Sequence, residues 1–468
     1  MNAFLLDGAD INDGPLQEQG LIVNPDALNE ITFVTSSQNP EYSRNSGAIV
    51  NETLKGGTNT FHGDGFEFYR DTFLNNGDYF SLPGQRPIFH QNLYGGTLGG
   101  PVLKNRVFFF AAYQGYRNAT AATQQTTVPT DAQLGRNGSG YADLSGDTNE
   151  INGTNSAGLS SNPLPFAIQG PHGTCPAGMA WNACFPGATV HLPTGDFNTI
   201  SSNLISTYVP SPNIGNKYNF NAGSGAAEDQ GVLRADVHVS NRDLLWASAI
   251  FQSNPSSAVL PFTGSNLPGF AENNARHFKI FNASWTHTFN PTTLNELRAG
   301  YYRFNYAAVE PAQVMPPSSL GFAITPQDAA AASIPKMTVT GLFTLGFSNN
   351  GPQPRLDENQ EYSDNFTKIL GNHNMMFGAH VERFAVHNPF YAAMNGSYGF
   401  NGYGFNGSGS YTSGDPLLDF LVGIPSSYGQ GSGADIDARA WEFCSWSAVK
   451  NLPDRAGGPA LPRRSWLQ

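Results

Sequence analysis

At 468 residues, with 24 Lys and Arg against 36 Asp and Glu, the chain carries a net charge of −12. Only 13% of it is charged and 12% is aromatic, with 52 glycines, whereas an ordinary globular domain is about a quarter charged. That balance describes a β-rich protein and excludes a nucleic-acid surface, which needs clustered Lys and Arg. No apolar run is long enough for a membrane helix. Barrel strands alternate lipid-facing and lumen-facing residues and escape a hydropathy window, so a mean hydropathy of −0.32 is compatible with a membrane protein. The start, MNAFLLDGADINDG, lacks the positive and apolar regions of a signal peptide, which predicts a chain that begins at an internal Met or in a shortened gene.

Between Asn45 and Arg117 the chain passes from a small-residue, Gly/Thr/Asn-rich segment to aromatic strands. Phe66 and Phe68 share a face, then Tyr94 and Leu98, then Val107, Phe109, Ala111 and Tyr113, in runs that suit strands. In a later Gly/Pro loop lie Cys175 and Cys184, whose closeness in an oxidising compartment favours a local disulfide, with two free thiols as the alternative. From Val232 the alternation is clearest: Leu233, Ala235, Val237 and Val239 against Arg234, Asp236, His238 and Ser240. A turn at Asn241-Arg242-Asp243 then leads to Leu245, Ala247, Ala249 and Phe251. The same pattern recurs with Phe281, Ala283, Trp285 and Phe289 before a turn at Asn290 to Thr293. It recurs again around Gly371-Asn372-His373, with Met375, Phe377, Ala379 and Val381 on the returning strand.

Long Gly/Ser/Asn/Pro segments, about 118–230, 253–274 and 307–360, separate these hairpins. Short turns alternating with long loops are the signature of an outer-membrane barrel, with strands of roughly ten residues. Phe61, Tyr69, Tyr116, Tyr302 and Phe384 are the candidate interfacial aromatics.

The blocks Gly47-Ala48-Ile49-Val50-Asn51, Gly57-Thr58-Asn59, Phe61-His62-Gly63, Gly95 to Pro101 and Phe108-Phe109-Phe110 are similar to GAVVN, TKSGTN, FHG, GGTLGGP and FFF. They resemble, in the same order, the plug-to-barrel junction of TonB-dependent outer-membrane transporters of the Oar-like branch. Asn2 to Asp13 looks like the branch's plug motif NNFLLDGVDNND, Leu28 to Arg44 like its next segment, and Gly414 to Tyr428 like a segment placed before a later barrel strand. Glu52 stands where the branch usually has an apolar residue. After Phe443 the branch continues as FAQDDWKVTP, whereas this chain reads CSWSAVKNLPDRAGGPALPRRSWLQ, which predicts a frameshifted or prematurely ended tail.

Residues with a chemical alternative are few. Asp7, Asp10 and Asp13 are hard oxygen ligands in a Gly-containing loop, but their spacing is not that of an EF-hand, and a solvated plug loop is the expectation. His373, His380 and His387 recur at an odd spacing that alternates faces on a strand. Gly95-Gly96 and Gly99-Gly100 read as glycines on a curved strand against the plug rather than a phosphate loop. Glu67, Asp71 and Asp78 with Arg70 and Arg86 line either the lumen or an early loop. No nucleophile elbow, H-E-x-x-H or C-x-x-C is present, so no catalytic, cofactor or metal residues are expected and the protein is read as a non-enzyme.

The expectation is an all-β, transmembrane antiparallel β-barrel, incomplete at about ten strands where a plugged transporter has about 22, together with the C-terminal part of a plug domain. The plug part spans residues 1–60, the barrel half 61–443 and the atypical tail 444–468. Ten open strands leave unsatisfied edges in lipid, so this stretch alone is not expected to insert as a stable transporter. The resemblance implies uptake of an unknown extracellular ligand across the cell outer membrane, with the TonB/ExbB/ExbD complex acting through a box outside this sequence. Its plug-to-barrel motif is Gly47, Asn51, Gly57, Thr58, Asn59, Phe61, His62 and Gly63. Two other readings stay open: a surface-display or adhesion protein anchored by its barrel, and a secreted, soluble glycan-binding β-sandwich.

Overall fold

The structure, a computed structural model, describes residues 2–451 apart from 17, 36–46, 75–87, 146–158, 314, 327–328 and 404–409. The first strands are short and apolar: β1 (Ala3–Leu6), β2 (Ala9–Asp10), β3 (Leu28–Val34) and β4 (Ile49–Leu54). They form a small mixed sheet in the order β2-β1-β4-β3, with β1 parallel to β4. This plug sheet ends at Leu54, and a short linker leads into the barrel wall.

The wall opens with β5 (His62–Asp71), β6 (Ile88–Leu103) and β7 (Val107–Thr127). The loop after β7 holds β8 (Tyr141–Asp143), β9 (Ile168–Gly170), β10 (Gly173–Cys175), α1 (Trp181–Cys184), β11 (His191–Pro193) and α2 (Thr199–Tyr208). The wall resumes with β12 (Lys217–His238), β13 (Asp243–Ala258), β14 (Glu272–Asn290) and β15 (Thr293–Pro311). After a loop with β16 (Lys336–Val339) and β17 (Thr344–Leu345) come β18 (Gln353–Leu370) and β19 (His373–Phe390). The last loop carries β20 (Ser397–Phe400), α3 (Pro416–Val422) and β21 (Ser427–Gly429) before β22 (Ala434–Asn451).

Ten of these strands make one antiparallel meander, β22-β19-β18-β15-β14-β13-β12-β7-β6-β5. β5 and β22 are its two edges, so the sheet is an incomplete barrel and not a two-sheet sandwich. Its strands, many of 16 to 22 residues, are longer than the roughly ten expected. They run through polar stretches such as 217–230 and 353–360, where residues outside the lipid continue the ladder. The segments expected as loops shrink accordingly to 128–216, 259–271 and 312–352. β22 stays in register with β19 past Phe443, as far as the pair His373 and Asn451; residues 452–468 lie outside the described residues.

The period of two is plainest on β14, where Phe278, Ile280, Asn282 and Ser284 are buried while Lys279, Phe281, Ala283 and Trp285 are exposed. Register extends the outward positions of β14 into continuous rows across the wall. One runs Phe109, Ala235, Ala247, Ala283, Ala299, Tyr362; Leu233 and Val237 lie on the same outward face. Trp285, Phe289 and Phe366 bound this belt on the short-turn side. Tyr113, Phe251, Phe281 and Tyr301 bound it on the long-loop side. Phe281 to Phe289 spans roughly 27 Å of strand at about 3.4 Å per residue, and less along the membrane normal once the strands tilt, which suits the ~25 Å apolar band of an outer-membrane barrel. Among the expected interfacial aromatics, Tyr116, Tyr302 and Phe384 instead face inward, because the register gives them inward parity.

The long loops fold together into a cap with its own apolar core, built on residues such as Trp181, Phe185, Leu204, Phe270, Phe343 and Phe420. Cys175 and Cys184 form a disulfide within it, their Cα atoms 5.7 Å apart. α3 is buried on every side, its six apolar residues and Asp419 alike. Its start is fixed by Asp415, which accepts the Leu418 N–H at 2.8 Å, and its end by Gly423 in the left-handed region. Asn198, the cap residue of α2, donates its backbone N–H to the Leu421 carbonyl at 2.8 Å and so joins the two helices.

Asp419 of α3 is fully enclosed; Oδ1 accepts the Ser413 N–H at 2.6 Å, while Oδ2 is buried without a hydrogen bond. Burial pushes its carboxyl well above the ordinary carboxylate range. The folded cap therefore holds this proton more tightly than the unfolded chain. The stability linked to it is complete below the ordinary aspartate range and is lost as pH rises through the raised folded value. Asp419→Asn should flatten that dependence and raise cap stability at alkaline pH by on the order of 1–3 kcal/mol. Thermal melts followed by near-ultraviolet circular dichroism at acidic and alkaline pH check this; an unchanged pH slope would contradict it.

Candidate functional site at the plug and barrel wall

The plug is seated against the inward face of the wall, and the seat is built strand by strand. Even positions on β12 and β14 and their registered partners turn inward. One inward row reads Phe110, Arg234, Ser248, Asn282, Gly300, Glu361. Its members from Arg234 to Glu361 receive the plug turn from Leu6 to Asp10. Arg234 Nη1 donates to Asp7 Oδ1 at 3.1 Å, and the Ser248 hydroxyl donates to Asp7 Oδ2 at 3.5 Å. Asn282 Nδ2 donates to the Leu6 carbonyl at 3.1 Å, and the Asp10 N–H donates to Glu361 Oε1 at 3.1 Å. Between them Gly300 leaves room for Ala9, whose Cβ would lie 3.1 Å from any Cβ added there.

Above this row the contact is apolar. Leu6, Ile11, Leu21, Val23 and Leu54 of the plug share one core with Phe110, Val232, Ile250, Phe278, Ile280 and Tyr302 of the wall. Higher still it is polar again. Gln230 accepts the Asn24 N–H at 2.6 Å and donates to the Ile22 carbonyl at 2.9 Å. Arg355 pairs with Asp13 and, at 3.3 Å, with Asp357, its guanidinium lying over the Phe304 ring at 4.9 Å.

The acidic loop Asp7, Asp10, Asp13 is thus not the solvated plug loop expected. Asp7 and Asp13 are buried on barrel arginines. Burial pushes the Asp7 carboxyl up, opposed by Arg234 and by the Leu54 N–H that donates to Oδ1 at 3.1 Å. Glu52 is buried on β4, where Gln19 Nε2 donates to it at 2.9 Å and burial raises its carboxyl.

The junction motif binds the linker to the short-turn end of the wall. Asn51 Oδ1 accepts the Gly8 N–H at 3.0 Å. Gly57 passes so close to Phe108 and the Phe109 backbone that any Cβ would collide. Asn59 exchanges two hydrogen bonds of 2.8 Å with Asn105 in the turn between β6 and β7. Thr58 Oγ1 donates to the Thr60 carbonyl at 2.8 Å and lies 3.2 Å from His62 Nδ1. Phe61 is exposed with its ring 6.3 Å from that of Phe109, and Gly63 crosses tightly under the Thr97 carbonyl. Gly47 lies just before β4. The glycines of β6 make room for β5 and the aromatic rings around it rather than for the plug: Gly96 for the β5 backbone, Gly99 for His62 and Gly100 for Phe61.

Other expectations resolve separately. Arg70 stacks on Phe89 at 4.7 Å, while Asp71 turns outward to His90 at 2.6 Å; Asp78 and Arg86 lie outside the described residues. His380 lies 3.4 Å from Glu382 on the inward side and His387 3.7 Å from Asp435 on the outward side. Arg355 and Asp357 escaped the sequence reading because polar residues fill both faces of β18 there. Their one signal was the alternate spacing of Arg355, Asp357, Asn359 and Glu361.

Fold and seat together define an outer-membrane barrel wall holding part of a plug. Residues 53–446 match the family model described as an outer membrane beta barrel domain, and the chain belongs to that family. It is an outer-membrane protein. It is similar to the TonB-dependent transporter Oar of Myxococcus xanthus, at 28% identity over 120 residues, 24% of this chain and 11% of that protein. Among solved structures it is similar to the outer membrane transporter YddB from Escherichia coli, with a TM-score of 0.47 and 10% identity over 96% of this chain and 47% of that one. It is also similar to the siderophore receptor PiuA from Acinetobacter baumannii, with a TM-score of 0.37 and 8% identity over 96% of this chain and 55% of that one. The chain therefore spans about half the length of these solved relatives.

Breaking one side of a buried ion pair costs about 3–5 kcal/mol, because the other charge is stranded. Arg234→Gln strands both Asp7 and Asp236 and should open the seat more than Asp7→Asn, which keeps the acceptor for Leu54. Hydrogen exchange at the Leu54 amide reads this directly, with a coupling above ~1 kcal/mol expected in the double-mutant cycle. Additive effects would mean that the pair does not hold the plug.

Proposed function

We propose that the chain is the plug-bearing part of a TonB-dependent receptor of the Oar-like branch, taking up a ligand across the outer membrane with the TonB/ExbB/ExbD complex as its energy source. The observation that supports it most is the seat itself. A plug that must close a pore at rest and leave it under load needs contacts that are specific in place and short in range. The bonds from Arg234 to Asp7, Asn282 to Leu6 and Asp10 to Glu361 have that character, since a hydrogen bond is lost once its partners move about an ångström apart. Binding and switching suffice for this work, and no covalent step is assigned.

The folded cap, with its own core and disulfide, favours one other reading, in which the barrel only anchors displayed loops. A cysteine placed at Ile22, in the plug beside Gln230, separates the two. In cells carrying the complete reading frame, an impermeant thiol reagent added from outside should label it faster when TonB, ExbB and ExbD are intact than when they are deleted. Equal labelling in both strains would favour the anchored-display reading and contradict energised opening.

A further inference from the structure

Above the lipid belt the inward face of β18 carries Arg355, Asp357 and Asn359, and the plug meets it at Asp13. One guanidinium there faces two carboxylates. The side chains of Arg355 and Asp13 are each 7% exposed and that of Asp357 1%, so little water reaches the surplus negative charge. The two carboxylates are not equally served. Asp13 takes Arg355 on Oδ2 and the Leu16 N–H on Oδ1 at 3.1 Å. Asp357 stands 3.3 Å from Arg355, but neither of its oxygens accepts a hydrogen bond from a described residue. Its neighbours across the ladder are Phe304 on β15 and Val386 on β19, both buried. An ionised carboxylate in such a slot loses its hydration and gains no donor in return, so it takes up a proton instead. Acceptors for that proton lie in the next inward row, where Asn359 Oδ1 and the Tyr302 hydroxyl belong to registered partners and are both buried without a hydrogen bond.

We propose that Asp357 is a proton switch on the upper contact of the plug: protonated, it leaves Arg355 to Asp13; ionised, it claims Arg355 for the wall and the plug loosens. The switch belongs to the seat at rest and holds whatever force removes the plug. When the plug leaves, Asp13 goes with it, and Asp357 keeps Arg355 in a wetted lumen. Release therefore favours the ionised form. In the seated state burial pushes the Asp357 carboxyl up to about 6, against the pull of Arg355 and with the push of Asp13. The stability linked to this proton is complete below the ordinary aspartate range near ~4 and is lost as pH rises to about 6. No other group facing Asp357 takes that role. β15 presents the phenols Tyr302 and Tyr306, and β19 presents Phe384 and Val386. Glu382 accepts Asn359 Nδ2 at 2.6 Å, and Glu361 accepts the Asp10 N–H. Arg276 is exposed and lies over Tyr306 at 5.1 Å.

Hydrogen exchange at the Gly20 amide tests the switch. That N–H donates to the Ile11 carbonyl at 3.1 Å within the plug, beneath the Tyr302 hydroxyl of the wall, so it is freed when the plug lifts. With the protein in outer-membrane vesicles, the exchange rate divided by that of an unstructured peptide at the same pH gives the opening constant. It should rise close to tenfold per pH unit from about pH 4 and level off above about pH 6. Asp357→Asn, neutral at every pH, should remove that rise while leaving the Leu54 amide in the lower seat unchanged. Asp13→Asn, which lets Asp357 keep Arg355 with the plug seated or released, should remove it too, and decides the matter if Asp357→Asn does not assemble. A flat profile in the unaltered protein, or a slope left unchanged by either variant, would overturn the proposal.

Discussion

Every backbone N–H and C=O that crosses a bilayer must be paired within the protein, and in a sheet that pairing fixes side chains to alternate faces. The rest of this molecule depends on that alternation. On β14 it sends Phe278, Ile280 and Asn282 to the plug while Phe281, Ala283 and Trp285 go to lipid. A slip of one residue would exchange the two sets, placing Asn282 in hydrocarbon and Phe281 against the Leu6 carbonyl. The long ladders, paired across as many residues as β7 and β12 are, make such a slip costly over the whole wall.

The plug seat uses the inward face in layers. Its apolar layer, shared between Leu6, Ile11, Leu54 and the wall, supplies adhesion without direction. Its polar layers supply position: the Leu6 to Asp10 turn meets one barrel row residue by residue, and Asp13 meets Arg355. Buried ion pairs add little net stability once desolvation is counted, but they are severe when mismatched. The seat therefore specifies one docked arrangement more than it deepens it.

Much of the wall was legible. The run from Val232 to Phe251 alternates so cleanly that its faces and turn follow from the residues alone. What stayed hidden did so for physical reasons. Strand ends above the lipid, such as residues 353–360, are polar on both faces and show no period. The acidic loop was misread because nothing local distinguishes a carboxylate in water from one that finds an arginine over two hundred residues away, as Asp7 finds Arg234. The cap core was invisible for the same reason: Trp181, Phe270, Phe343 and Phe420 come from separate loops. Within the cap α3 carried local signals at both ends, with Asp415 at its cap, Pro416 at its first position and Gly423 past its end.

The account stands on the wall having a lipid face and a plug face set by parity. Single cysteines carrying a small fluorophore at Leu233, Ala283, Ile250 and Asn282, in the protein in outer-membrane vesicles, expose that division to a quencher confined to the lipid tails. Labels at Leu233 and Ala283 should be strongly quenched and labels at Ile250 and Asn282 protected. Equal quenching at neighbouring outward and inward positions would contradict the division and, with it, the plug seat.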